Sequence, residues 1–63
     1  MYKKYEALRD ARHMTNADVA RETGIGPSTF TDWKMGKIAA PRIEKLAKIA
    51  KLFNVPIEAL LGE

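Results

Sequence analysis

The sequence predicts an all-α domain: a compact bundle of five short helices. Three observations carry this. Apolar residues recur at three- and four-residue spacing in successive stretches, the period of a helix buried on one side. Between those stretches stand residues that start or stop helices: Thr15, Gly24, the pair Gly26 and Pro27, Gly36, Pro41 and Asn54. The chain has 63 residues and no cysteine, so neither disulfides nor thiolate zinc sites can staple it. A chain this short buries only a modest fraction of its surface and needs a helical core or a partner. One domain over residues 1–63 is expected, with no linker, repeat or low-complexity segment.

The first helix is expected from Tyr2 to Arg12, with Tyr5 and Leu8 inside, joined by Tyr2 and the stem of Arg12. Lys3, Lys4, Glu6 and Asp10 belong outside, and Arg9 can relieve the repulsion between Glu6 and Asp10. His13 and Met14 link this helix to the next. His13 is the lone histidine, so a metal site or catalytic dyad finds no second imidazole, and a surface turn is the plainer reading.

The second helix starts at the N-cap Thr15, with Asp18 placing a carboxylate where the helix dipole favours it. Val19, Ala20 and Thr23 follow at helical spacing, and Gly24 ends the helix in a left-handed conformation. Ile25 is a buried plug. Gly26 caps a third helix with Pro27 at its first position, running to Met35 and closed by Gly36. At about 100° per residue, Phe30 and Trp33 share one side of it, and Ser28, Thr31, Asp32 and Met35 the other, with Pro27 at the leading edge. Bulky anchors on one side and short hydrogen-bonding groups on the other suit a helix lying in the major groove of DNA. Ala20 lets the two helices cross closely.

Lys37 to Ala40 form a short connection, and Pro41 is expected to open the fourth helix. Ile43, Leu46, Ala47, Ile49, Ala50 and Phe53 form a broad apolar stripe, opposite Glu44, Lys45, Lys48 and Lys51. Those lysines read as a solvated face rather than a phosphate rail. Asn54 ends this helix, and a last one is expected from Ile57 to Leu61. Leu52, Ile57, Leu60 and Leu61 are more apolar surface than so short an element buries locally. They form the lid of the core, a dimer seam, or both.

Thr15, Asn16, Val19, Ala20, Gly24, Ile25, Ser28, Thr29, Phe30, Trp33, Gly36 and Lys37 stand in a register that resembles the helix-turn-helix of the phage repressor and Cro-like (XRE-type) family. The likeness extends from LRDARHMT to PRIEKLAKIAKLFNVPIEALL, nearly the whole chain. It implies a lambda-repressor-like bundle in which the helix Pro27 to Met35 reads bases and the helix before it crosses the backbone. Three departures stand out. The family often pairs an arginine at Arg9 with an acid at the position of Lys34, so Arg9 must turn to Glu6 or Glu22, or stay solvated. Thr23 occupies a place that is usually apolar. His13 sits where the family usually has glycine.

The resemblance implies a sequence-specific double-stranded DNA-binding transcriptional regulator, acting as a repressor. Pro27, Ser28, Thr31 and Asp32 are the expected base-reading residues, Asp32 as an acceptor from cytosine N4. Asn16, Thr29, Lys34, Lys37 and Arg42 are expected on phosphates and sugars. The formal charge of +3 and pI near 9.5 agree weakly with a nucleic-acid partner. A weak homodimer through Leu52, Ile57, Leu60 and Leu61 is expected on DNA. The alternative is a protein-binding module on the same fold, an antitoxin-like or corepressor-like partner using the C-terminal apolar group. No nucleophile–base pair, carboxylate dyad or phosphate-cradling glycine loop points to an enzyme, a cofactor, a metal or a small-molecule substrate. No long apolar run or signal-peptide pattern is present, so a bacterial or phage-encoded protein of the cytoplasm is expected.

Overall fold

Tyr5 is the centre of the packing, and the helices are arranged around its ring. In the computed structural model, which describes residues 2–61, Tyr5 stacks on Phe30 at 5.4 Å, Trp33 at 5.1 Å and Phe53 at 6.0 Å between ring centroids. The helices that deliver these rings are α1 (Tyr2–Ala11), α3 (Pro27–Met35) and α4 (Ile43–Phe53), with α2 (Asn16–Thr23) adding Val19 and Ala20. Ile25, Leu46, Ile49, Ala50 and Leu60 complete a core in which no polar or charged residue is buried among the described residues.

Four α-helices and one 3-10 turn, Ile57–Ala59, are present among the described residues, where five helices were expected. The last segment is too short to gain from α-helical hydrogen bonds. It closes instead with three-residue bonds, Leu60 N–H to Ile57 O at 2.8 Å and Leu61 N–H to Glu58 O at 3.2 Å. Leu60 is driven fully into the core by this turn, so it is core rather than seam. Leu52, Ile57 and Leu61 are half-buried against it.

The helix boundaries follow from backbone conformations that the sequence imposes. Thr15 accepts from Asp18 N–H at 3.1 Å while the Asp18 carboxylate accepts from Thr15 N–H at 2.9 Å, a reciprocal capping box. Gly24 and Gly36 sit at φ of 76° and 80°, a region costly for any residue with a Cβ. His13 and Asn54 adopt the same region, at 56° and 57°, and terminate α1 and α4. His13 N–H reaches Asp10 O and Met14 N–H reaches Arg9 O, the paired bonds of a Schellman motif. Helix α1 accordingly stops at Ala11, one residue short of the expected Arg12.

Two expectations for α4 need correction. Pro41 is buried in the preceding loop, Arg42 is the N-cap, and the helix opens at Ile43. Ile43 and Ala47 point outward, Ile43 with 57% of its surface exposed, so the buried stripe is narrower: Leu46, Ile49, Ala50 and Phe53. Arg12 ties α1 to this helix, its guanidinium 4.9 Å from the Phe53 ring and donating to Phe53 O. Thr23 fits its half-buried place by donating to Val19 O at 2.7 Å, the backbone partner a helical threonine can reach one turn back.

Candidate nucleic-acid interface

Helices α2 and α3 are held at a sharp corner by Gly24, the buried Ile25 and Gly26. Pro27 opens α3, where its missing N–H removes no helical bond. Phe30 and Trp33 are fully or nearly fully buried, and they fix the rotation of α3 about its axis. The face this leaves outward carries Pro27, Ser28 and Thr31, all exposed, and Asp32, half-exposed. Met35 extends it with 68% exposure. The ion pairs among the described residues belong to Arg9 and Arg21, so no cation holds Asp32. Its backbone carbonyl, in contrast, closes α3 by accepting from Lys37 N–H at 2.8 Å.

The residues expected on the DNA backbone are spread around this face. Lys34, Lys37 and Arg42 are exposed, and Thr29 is half-buried. Asn16, at the start of α2, is different. Its side chain is drawn into a polar cluster: Oδ1 accepts from Tyr5 Oη at 2.6 Å and from Arg9 Nη1 at 2.9 Å, while Nδ2 donates to Tyr2 Oη at 3.0 Å. Burial pushes the Tyr5 phenol far above its ordinary titration range, against the pull of Arg9, so it is a proton donor at any relevant pH.

Arg9 finds the partner that Lys34 cannot supply. Its Nε and Nη2 both reach Asp10 Oδ1, at 3.2 and 2.7 Å, and Glu6 lies 3.8 Å away. Of the two expected candidates, Glu6 is thus peripheral and Glu22 forms no pair with it. Hydrogen bonding to Asp10 raises the Arg9 pKa further, so the guanidinium is permanently charged. Asp18 is held below the usual carboxylate range by the Thr15 N–H and then by Arg21, 2.7 Å away.

Sequence reading missed the Tyr2–Tyr5–Arg9–Asn16 cluster. The available signal was spacing: Tyr2, Tyr5 and Arg9 stand at i, i+3 and i+7, one face of α1. That this face meets the start of α2 is a tertiary fact.

No group of three or more His, Cys, Asp or Glu among the described residues could hold a metal ion. No described helix is long and apolar enough to cross a membrane.

Residues 6–60 match the helix-turn-helix family profile. The chain is also 32% identical, over 60 residues, to the cryptic phage CTXphi transcriptional repressor RstR of Vibrio cholerae. That match covers 95% of this chain and 53% of the relative, so the chain spans about half the relative's length. No solved structure matches significantly.

Proposed function

Because the chain belongs to the helix-turn-helix family, we propose that it is a sequence-specific double-stranded DNA-binding transcriptional regulator that represses by occupying an operator. The observation that carries this reading is α3 itself. Two buried aromatic anchors hold it rigidly while its outer face offers the short groups of Pro27, Ser28, Thr31 and Asp32, with Met35 at its far end. Such a face enters a major groove without steric conflict. Ser28 and Thr31 can donate or accept, Pro27 and Thr31 can touch a thymine methyl, and Asp32 can accept from cytosine N4. Asp32, with no cation partner among the described residues, also repels misplaced phosphates. Asn16, Thr29, Lys34, Lys37 and Arg42 then position the protein on phosphates and sugars. The likeness to a phage repressor supports the repressive sense and a phage or bacterial origin.

A nine-residue helix spans few base pairs. Two copies related by a two-fold axis, reading half-sites about 34–36 Å apart, supply the missing specificity. Leu52, Ile57 and Leu61 are the apolar surface for that pairing, with Leu60 withdrawn into the core. Selection of bound duplexes from a random DNA library tests the whole reading. Recovery of a short palindromic site is the expected result. A library that yields no enriched sequence, together with salt-resistant capture of a different protein chain, would overturn it in favour of a protein-binding module.

A further inference from the structure

The donors and acceptors around Asn16 can be accounted for one by one. A guanidinium carries protons on every nitrogen and has no acceptor, so the contact from Arg9 Nη1 fixes Oδ1 as the inward end of the Asn16 amide. The Tyr5 hydroxyl, on the same oxygen, can only donate to it. Asn16 Nδ2 then faces Tyr2 Oη, and because an amide nitrogen offers no lone pair, Tyr2 is the acceptor. Arg9 Nη1, 3.4 Å from Tyr2 Oη, donates there as well. Both lone pairs of the Tyr2 oxygen are therefore taken. Its own proton has no acceptor among the described residues, and neither does the second Nδ2 proton of Asn16.

We propose that Tyr2 is a further DNA-backbone residue, its hydroxyl donating, beside Asn16 Nδ2, to one phosphodiester oxygen. The proposal rests on the reading of this protein as a duplex-DNA binder. Two convergent donors without an acceptor select a ligand group that only accepts. A phosphate oxygen is such a group, whereas major-groove base edges mix donors with acceptors. The site also lies at the start of the first motif helix, the helix that crosses the backbone in this family of motifs. The Tyr2 ring is fixed for the task, edge-on to Trp33 at 5.5 Å and tilted on Tyr5 at 5.5 Å. Tyr5 and Arg9 act through Asn16 as positioning residues.

The test compares the intact chain with Tyr2→Phe on a selected duplex. Each is also measured on duplexes carrying a single neutral methylphosphonate at each backbone position in turn. Tyr2→Phe should weaken all duplexes about tenfold, the scale of one hydrogen bond to a charged group. Base preference and salt slope should not change, since a neutral donor displaces no counterion. At one phosphate per half-site, the wild-type loss on methylphosphonate substitution should shrink in Tyr2→Phe, with all other positions alike. Identical profiles for the two proteins overturn the proposal, even if Tyr2→Phe melts earlier or binds more weakly overall. Should Tyr2→Phe fail to fold, the chain labelled with 3-fluorotyrosine gives the same decision from its two tyrosines, assigned through Tyr5→Phe. The Tyr2 fluorine signal should move on adding duplex and return when the contacted phosphate is neutral; an unmoved signal overturns the proposal. A wild-type chain that binds no duplex sinks the DNA-binding reading itself, whereas binding with no Tyr2 signature sinks this inference alone.

Discussion

Trp33→Ala should unfold this protein. Trp33 is 3% exposed and packs against two rings, stacked on Tyr5 at 5.1 Å and edge-on to Tyr2 at 5.5 Å. Truncating a buried aromatic costs about 3–5 kcal/mol. The stacked pair with Tyr5 places Trp33 toward the upper part of that range. Set against this, 63 residues at ordinary stability per residue give roughly 3–9 kcal/mol in total. The substitution therefore removes most of the margin, and a drop in melting temperature of at least about 12 °C is expected for a domain of this size. A companion variant separates packing from polarity. The indole Nε1–H is buried without a hydrogen-bond partner, so Trp33→Phe keeps an aromatic ring while deleting an unsatisfied donor. It should lose less than half of what Trp33→Ala loses. Circular dichroism melts of the three proteins, with duplex binding measured below each transition, give the answer. A folded Trp33→Ala melting within about 5 °C of wild type would refute the assignment of this face to the core, since that shift is worth only about 1 kcal/mol.

Leu60→Asp should also unfold the chain, because the carboxylate would replace a side chain with no exposed surface, whereas Leu61→Asp should leave the melt intact and weaken only assembly on DNA, as sedimentation with and without duplex will show. His13→Gly should stabilise by about 1 kcal/mol in urea unfolding by relieving a left-handed backbone, with a smaller gain for Asn54→Gly, since asparagine tolerates that region better. Because the Asp18 carboxyl titrates below its unfolded value of about 3.9, its stabilisation is complete above that pH and fades as pH falls through the folded value; melts of Asp18→Asn from about pH 2 to 5 should lack this component. Ser28→Ala and Asp32→Ala should change the selected bases at unchanged melting temperature, while Lys37→Ala should weaken all duplexes alike and lower the salt slope by about one unit per subunit.

The corner of the motif was legible to the residue because its punctuation is conformational. Gly24, the Gly26–Pro27 pair and Gly36 act through the backbone, and tertiary context did not override them. The outward side of α3 followed from Phe30 and Trp33 by angle alone. The start of α4 was misread because proline serves equally well just outside a helix, and Pro41 is placed there. Its apolar stripe was drawn too wide because Ile43 and Ala47 are apolar without being inward. Leu60 shows a deeper limit. An apolar surplus in the sequence does not say whether it covers its own core or a second copy; only the 3-10 turn decides. The bonds of Asn16 were out of reach for a similar reason, since they join residues 7 to 14 positions apart in different helices.

The placement of Tyr5 has a consequence for how the protein comes into being. The motif's two anchors, Phe30 and Trp33, lean on a ring from the first helix, and that ring leans in turn on Phe53 near the end of the last. No contiguous fragment shorter than residues 5–53 holds all four. A nascent chain on the ribosome therefore cannot bury its reading helix until Phe53 and Leu60 have both emerged. Truncated products should be cleared by proteases rather than accumulate in a folded form. A messenger cut short before those codons yields loss of the protein and no dominant interference.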